Sequence, residues 1–272
     1  MPIEQTLKVS ESAREGRPQR DRPVTLAGAA EPRPVDLTGR FLRTREVAVD
    51  PDTLRKAHLL RPDLQTAPAQ SFRMLRTQVL QRLRANGWNS LAVVGATPDE
   101  GKSTVAVNLA MAISMDVSHN ALLVEFDLRR PSLARRLGID VTVGVEEVLR
   151  GGQRVEAALV RLTGYDRLLL LPAAAPVLQS SELLAGPPAQ ELAAELKARY
   201  ADRIVIFDLP PLLGADDAIA FLPCVDAVLL VVAEGHTKAA HLQRAVELLR
   251  DKPILGTVLN RSRGTAEEYF QY

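Results

Sequence analysis

Gly95-Ala-Thr-Pro-Asp-Glu-Gly-Lys-Ser-Thr104 follows the apolar run Leu91-Ala-Val-Val94 and precedes Val105-Ala-Val-Asn-Leu-Ala-Met-Ala112, whose spacing is helical. A strand, a tight loop and a helix in that order, with Lys102 and Ser103 at the helix entrance, read as a phosphate-binding loop. From Ala96 to Ser103 the spacing is that of the relaxed Walker A pattern, with Ala96 where the strict form has Gly. Gly95 stands one residue too early to count. The expected nucleotide contacts are Ala96, Thr97, Pro98, Asp99, Glu100, Gly101, Lys102, Ser103 and Thr104. N–H groups at the positive end of a helix hold a polyphosphate. Gly101 permits close backbone approach, Lys102 bridges the β- and γ-phosphates of ATP, Ser103 offers its hydroxyl to Mg2+, and Thr104 caps the first turn.

Working outward, short and uniformly apolar runs recur at 121–126, 167–171, 203–207, 227–232 and 254–259, separated by helical patterns such as 189–199 and 238–250. Such runs belong to a parallel sheet covered by helices on both faces. The expected fold is therefore α/β and P-loop NTPase-like, with ligands at the carboxyl ends of the strands. Before the loop strand, Phe72, Leu75, Val79 and Leu83 recur at three- and four-residue steps and predict an amphipathic helix over 71–83.

Two further strands end in acids. Glu125-Phe-Asp127-Leu-Arg129-Arg130-Pro131 places two carboxylates two residues apart, which in an extended segment aims both the same way. Beside a phosphate loop, one would orient Mg2+ while the other accepts a proton from an attacking hydroxyl; taken alone, the segment also reads as a charged loop after a strand. Ile204-Val-Ile-Phe-Asp208-Leu-Pro210-Pro211 is a Walker B pattern, with Asp208 for the Mg2+ shell and two prolines fixing the chain as it leaves the strand. The expected catalytic set is Lys102, Glu125, Asp127 and Asp208, with Ser103, Asp127 and Asp208 at the metal.

Composition bounds the rest. A net charge of +1 over 272 residues gives no global attraction for nucleic acid. Cys224 is the one cysteine, which excludes an intramolecular disulfide. No run approaches the roughly 20 apolar residues of a membrane span, and Glu4 and Lys8 occupy the place of a signal peptide's apolar core, so a cytoplasmic chain is expected. Residues 1–65 are rich in Arg, Glu, Asp and Pro, with Phe41 their sole aromatic, and read as a disordered or loosely attached extension. A folded domain is expected over 66–264 and a tail over 265–272, with Tyr269 and Tyr272 beside Glu267 and Glu268.

Together these motifs resemble the bacterial tyrosine kinases of capsule and exopolysaccharide production, over roughly residues 66–272. Lys102 and Ser103 match the family's Walker A pair, Asp127 and Arg129 its second acidic motif, and Asp208 with Pro210 and Pro211 its Walker B. Asp217, the segment Ser181-Glu-Leu-Leu184 and Asn260, a contact to the adenine base, match as well. The resemblance implies an ATP- and Mg2+-dependent autokinase whose acceptors are Tyr269 or Tyr272 of an adjacent subunit in a homo-oligomer. It also implies a membrane-spanning polysaccharide co-polymerase as activator, which would hold the chain at the inner face of the plasma membrane. Two positions depart from the family: Glu125 replaces the first Asp of the acidic motif, implicated in proton abstraction, and Gln70 replaces the Glu of the oligomer motif that continues with Arg73 and Arg76. The alternatives are a Min/Par-type ATPase switch, whose signature lysine is Thr97 here, and a catalytically silent ATP-binding regulator.

Overall fold

The apolar runs become the strands of a sheet in a computed structural model that describes residues 44–62, 66–199 and 203–262. Residues up to 43 and the tail carrying Tyr269 and Tyr272 lie outside the described residues. In chain order the elements are β1 (Arg45–Val47), α1 (Pro51–Lys56), α2 (Ala67–Asn86), β2 (Ser90–Gly95), α3 (Lys102–Ser114), β3 (Asn120–Glu125), α4 (Leu133–Leu137), α5 (Val145–Leu149) and α6 (Val155–Ala158). There follow β4 (Val160–Leu162), β5 (Leu168–Leu171), α7 (Ser180–Ala185), α8 (Pro187–Ala198), β6 (Arg203–Asp208), α9 (Asp217–Phe221), β7 (Ala227–Ala233), α10 (Ala239–Leu248) and β8 (Ile254–Asn260).

The eight strands form one sheet in the order β1-β4-β5-β3-β6-β2-β7-β8, and every neighbouring pair is parallel except β4 with β5. Alternation along the inner strands sends side chains to two cores. Leu91 and Val93 join Leu123, Ile206 and Leu229 against α1, α2, α3 and α4, while Ala92 and Val94 join Leu122, Val205 and Val228 against the helices from α5 to α10. Burial on both faces is why these runs carry no polar residue on alternate positions. The exception is β8, an edge strand in which only Leu255 is buried and the rest are partly or fully exposed, with Leu259 51% exposed.

The expected boundary at residue 66 falls too late. Strand β1 pairs in parallel with β4, and Leu54, Leu59 and Leu60 are buried in the core that covers α3. Asp50 caps α1 by accepting from the N–H groups of Asp52 and Thr53. Asn108, buried on α3, accepts from the N–H of Leu60 at 2.8 Å and donates to the carbonyl of His58 at 2.9 Å. A three-residue strand and a six-residue helix are too short to show a period among so many charges, and three leucines suffice to dock them. The helix expected over 71–83 runs from Ala67 to Asn86, because Thr66 caps its start through the N–H of Ala69.

Candidate active site

The loop between β2 and α3 takes its shape from two left-handed residues, Asp99 (φ 61°) and Gly101 (φ 88°). At Gly101 a side chain would be strained by the left-handed backbone, and its Cβ would lie 2.0 Å from Nδ2 of Asn260, whose amide donates to the carbonyl of Glu100 at 2.8 Å. Glu100 itself is buried beneath the loop. Its Oε1 accepts from the hydroxyls of Thr97 at 2.9 Å and Thr237 at 2.7 Å, while His236 Nε2 donates to the carbonyl of Pro98 at 3.1 Å. Gly95, discounted in the motif, has its own reason to be glycine, since a Cβ there would lie 2.2 Å from the Glu100 carboxylate.

The predicted nucleotide contacts thus divide. Pro98, Asp99, Gly101, Lys102 and Ser103 line a cavity of about 310 Å³ at the carboxyl edge of the sheet. Thr97 and Glu100 turn inward and brace the loop, and the carbonyl of Ala96 accepts from the N–H of Leu213, beyond the Walker B prolines. Thr104 does not cap the helix: Gly101 occupies the cap position, and the Thr104 hydroxyl accepts from Arg136 Nη1 at 3.0 Å. Asn260 holds the loop backbone; its side chain also lines a separate apolar cavity with Phe72 and Leu75 of α2.

The two carboxylates at and just past the end of β3 do not share a direction. Glu125, the last residue of β3, is fully buried; Oε1 accepts from the N–H groups of Ser132 and Leu133, and Oε2 from Ala173 at 3.0 Å. It ties the sheet to the entrance of α4 and to the loop after β5, and its oxygens are committed to backbone. The alternation rule fails here because the strand ends at Glu125, so Asp127 no longer follows the pleat. Asp127 lines the cavity and accepts from the N–H of Arg130 at 3.2 Å. Burial raises both carboxyls, Glu125 to about 7 against its three N–H donors, and Asp127 against the pull of Lys102.

Asp208 is the residue the fold leaves least satisfied. It ends β6 between β3 and β2, paired in register with Glu125 and Val93, and is 1% exposed. Neither carboxylate oxygen has a hydrogen bond of good geometry among the described residues. Burial pushes its carboxyl up to about 6, opposed by the Ser103 hydroxyl and the Lys102 and Arg136 charges, while Asp127 adds repulsion. Three packed rings support the acids from below. Phe126 lies 5.4 Å from Phe207 and 4.7 Å from Phe221, centroid to centroid, so the residues before Asp127 and Asp208 are anchored in the core.

Arginines complete the wall. Arg129 Nε lies 3.0 Å from Asp217 Oδ2 and donates to Ser180 Oγ at 3.1 Å, and its Nη2 donates to Ser181 Oγ at 3.2 Å. The fold therefore gathers the acidic motif, the Ser181 segment and Asp217 into one cluster. Sequence reasoning missed Arg136, whose Nε donates to Ser132 Oγ at 3.1 Å, and missed His236 and Thr237. The last two lie in the loop after β7, so the rule that loops at the carboxyl edge line the site would have found them; Arg136 carries no motif signal.

An orphaned, buried Asp208 beside a serine hydroxyl and a half-buried aspartate is a set of hard oxygen donors. That chemistry fits Mg2+, which takes few protein ligands and keeps waters and phosphate oxygens. Left-handed loop residues ahead of a helix N-terminus, with Lys102 at its first position, fit a polyphosphate.

The fold and this loop define a P-loop protein of the nucleoside-triphosphate-binding class. No protein-family profile matches the chain. It is 30% identical over 206 residues to the tyrosine-protein kinase YwqD of Bacillus subtilis, covering 75% of this chain and 85% of that one. It is 32% identical over 202 residues to the succinoglycan biosynthesis transport protein ExoP of Rhizobium meliloti, but spans only 25% of ExoP. Among solved structures, the BceF tyrosine kinase domain superposes with a TM-score of 0.64 at 27% identity, over 80% of this chain and 83% of that one. The cell division ATPase MinD of Pyrococcus furiosus shares the fold at a TM-score of 0.54 and 28% identity, over 66% of this chain and 78% of that one. The chain belongs to the bacterial tyrosine kinase family.

Proposed function

We propose that the chain is an ATP-dependent protein-tyrosine autokinase that regulates exopolysaccharide or capsule production. The observation that carries this reading is the buried Asp208, without a hydrogen bond of good geometry, whose carboxyl interacts with Ser103, Lys102 and Asp127, three residues that line the cavity. Ser103 and Asp208, with Asp127 nearby, would hold Mg2+, which when bound neutralises the phosphate oxygens and orients them. Lys102 stabilises charge on the transferring phosphoryl group. Asp127 accepts the phenolic proton as the tyrosine oxygen bonds to the γ-phosphorus and the bond from that phosphorus to the β–γ bridging oxygen breaks, releasing ADP. Asp127 is preferred to Glu125 as base because Glu125 has both oxygens bonded to backbone N–H groups. Acceptors would be Tyr269 and Tyr272 of a neighbouring copy. No helix among the described residues is long and apolar enough to cross a membrane; a membrane-spanning co-polymerase is the proposed activator and would keep the domain at the inner membrane face.

Incubating the purified chain with Mg-ATP, with and without a cytoplasmic peptide of a candidate co-polymerase, tests the reading. Mass spectrometry should find phosphate on Tyr269 or Tyr272, absent in Lys102→Met. ATP binding without phosphotyrosine would favour the second reading, a silent ATP-binding regulator, which the backbone-bound Glu125 supports. The likeness to MinD keeps a Min/Par-type switch as the third, against which stands Thr97 at the signature lysine's position.

A further inference from the structure

Five basic side chains line the active-site cavity: Lys102, Arg129, Arg130, Arg135 and Arg136. Three have fixed duties. Lys102 is buried at the loop, Arg129 is held by Asp217, Ser180 and Ser181, and Arg136 by Thr104 and Ser132. Arg130 and Arg135 differ: both are exposed, and neither guanidinium makes a hydrogen bond or close ion pair with any described residue, although the Arg130 charge helps to hold Asp127 ionised. Their placement relative to the proposed base is informative. The backbone N–H of Arg130 is the group that holds Asp127 Oδ1, so its side chain springs from directly beside the proton acceptor. Arg135 projects from α4, which starts where Glu125 anchors the chain. A tyrosine whose hydroxyl reaches Asp127 therefore brings its sequence neighbours past two unpaired guanidinium groups.

We propose that Arg130 and Arg135 form a specificity surface for tyrosines flanked by acidic side chains, and that its occupant is the C-terminal tail of a second copy of this chain. Glu267 and Glu268 directly precede Tyr269 there. The inference rests on the kinase reading above and adds to it the substrate class. Guanidinium groups suit carboxylates because the planar fork matches two oxygens. Both arginines are exposed, so each pair gives moderate, salt-sensitive discrimination and faster encounter rather than tight binding.

The test uses the full chain with Tyr269→Phe and Tyr272→Phe, which removes its own acceptors. The probes are fluorescent peptides of residues 263–272 with Tyr272→Phe, in three forms: unchanged, Glu267→Gln/Glu268→Gln, and Glu267→Lys/Glu268→Lys. Binding is read with Mg2+ and a non-hydrolysable ATP analogue, and phosphate transfer to Tyr269 separately with ATP. The acidic peptide should exceed the Gln peptide by roughly tenfold in affinity and in kcat/KM, with the Lys peptide weakest and the ranking flattened at high salt. The Arg130→Glu/Arg135→Glu enzyme should invert the ranking. Equal binding of all three peptides overturns the inference, as does a ranking unchanged by the double substitution. A raised KM for ATP with no change in ranking also overturns it, because it assigns the arginines to the nucleotide. Charge-ranked binding without phosphate transfer sinks the kinase reading and leaves the acidic-peptide surface; equal transfer to all three does the reverse.

Discussion

Asp208 and Asp226 sit at opposite edges of the same sheet and meet opposite treatment. Asp226 immediately precedes β7 at the amino edge. Its carboxylate accepts from the N–H groups of Asn89 and Ser90, from the Ser90 hydroxyl at 2.7 Å, and from Lys197 Nζ at 2.5 Å. Burial works against the charge, but the bonds to Lys197, Ser90 and Asn89 outweigh it and hold the carboxyl below the usual aspartate value. Asp208 ends β6 at the carboxyl edge, has no hydrogen bond of good geometry among the described residues, and is pushed up to about 6 by burial that Ser103 and Lys102 only partly offset. Asp226 is committed to the fold. Asp208 is held back for what binds there, at a cost in stability that burying an unpaired charge entails.

The contrast breaks most visibly at Asp208→Asn. Phosphate transfer should fall by at least about 10³-fold, yet the thermal midpoint of the nucleotide-free chain should hold or rise at neutral pH, since a buried charge disappears. A fall in both would mean that Asp208 is a structural acid like Asp226. Next comes the pair on β3. Asp127→Asn should cost about 10²-fold in rate if Asp127 is the general base. Glu125→Gln should leave most of the rate but lower unfolding free energy by about 1–3 kcal/mol, because an amide nitrogen must then face a backbone N–H. Urea titrations beside kinetics separate the two, and equal residual activity in both variants would refute the division of roles.

At the amino edge, Asp226→Ala should cost about 2 kcal/mol of stability by stranding Lys197 and Ser90, with kcat unchanged. A change in kcat would show that the two edges are coupled. The smallest effect is in pH. A carboxyl lowered in the fold stabilises above its unfolded value and loses that contribution as pH falls through the folded value. The stability gap between wild type and Asp226→Asn should therefore be full near neutrality and shrink below about 3.8, the ordinary aspartate value. A gap that instead widened on acidification would reverse the assigned sign.

The sequence alone determined the phosphate-loop element and the strands, the basis of the proposed nucleotide end. A phosphate loop takes its donors from consecutive residues, so Gly101, Lys102 and Ser103 are legible as a string, and strands buried on both faces are legible as apolar runs. Tertiary structure decided what sequence spacing cannot. The N–H groups of Ser132, Leu133 and Ala173 turn Glu125 away from the cavity, and the chain past β3 frees Asp127 to face it. The fold also brought Arg136 to Thr104, Asn260 and Thr237 to Glu100, and Arg129 to Asp217. It docked β1 and α1, whose charged composition reads as a solvated tail, through three buried leucines and Asn108. Apart from Ser132 and Leu133, seven and eight residues past Glu125, the partners lie far along the chain, and the direction of a side chain at or beyond a strand end is set by whichever donor or acceptor the packed helices bring to it.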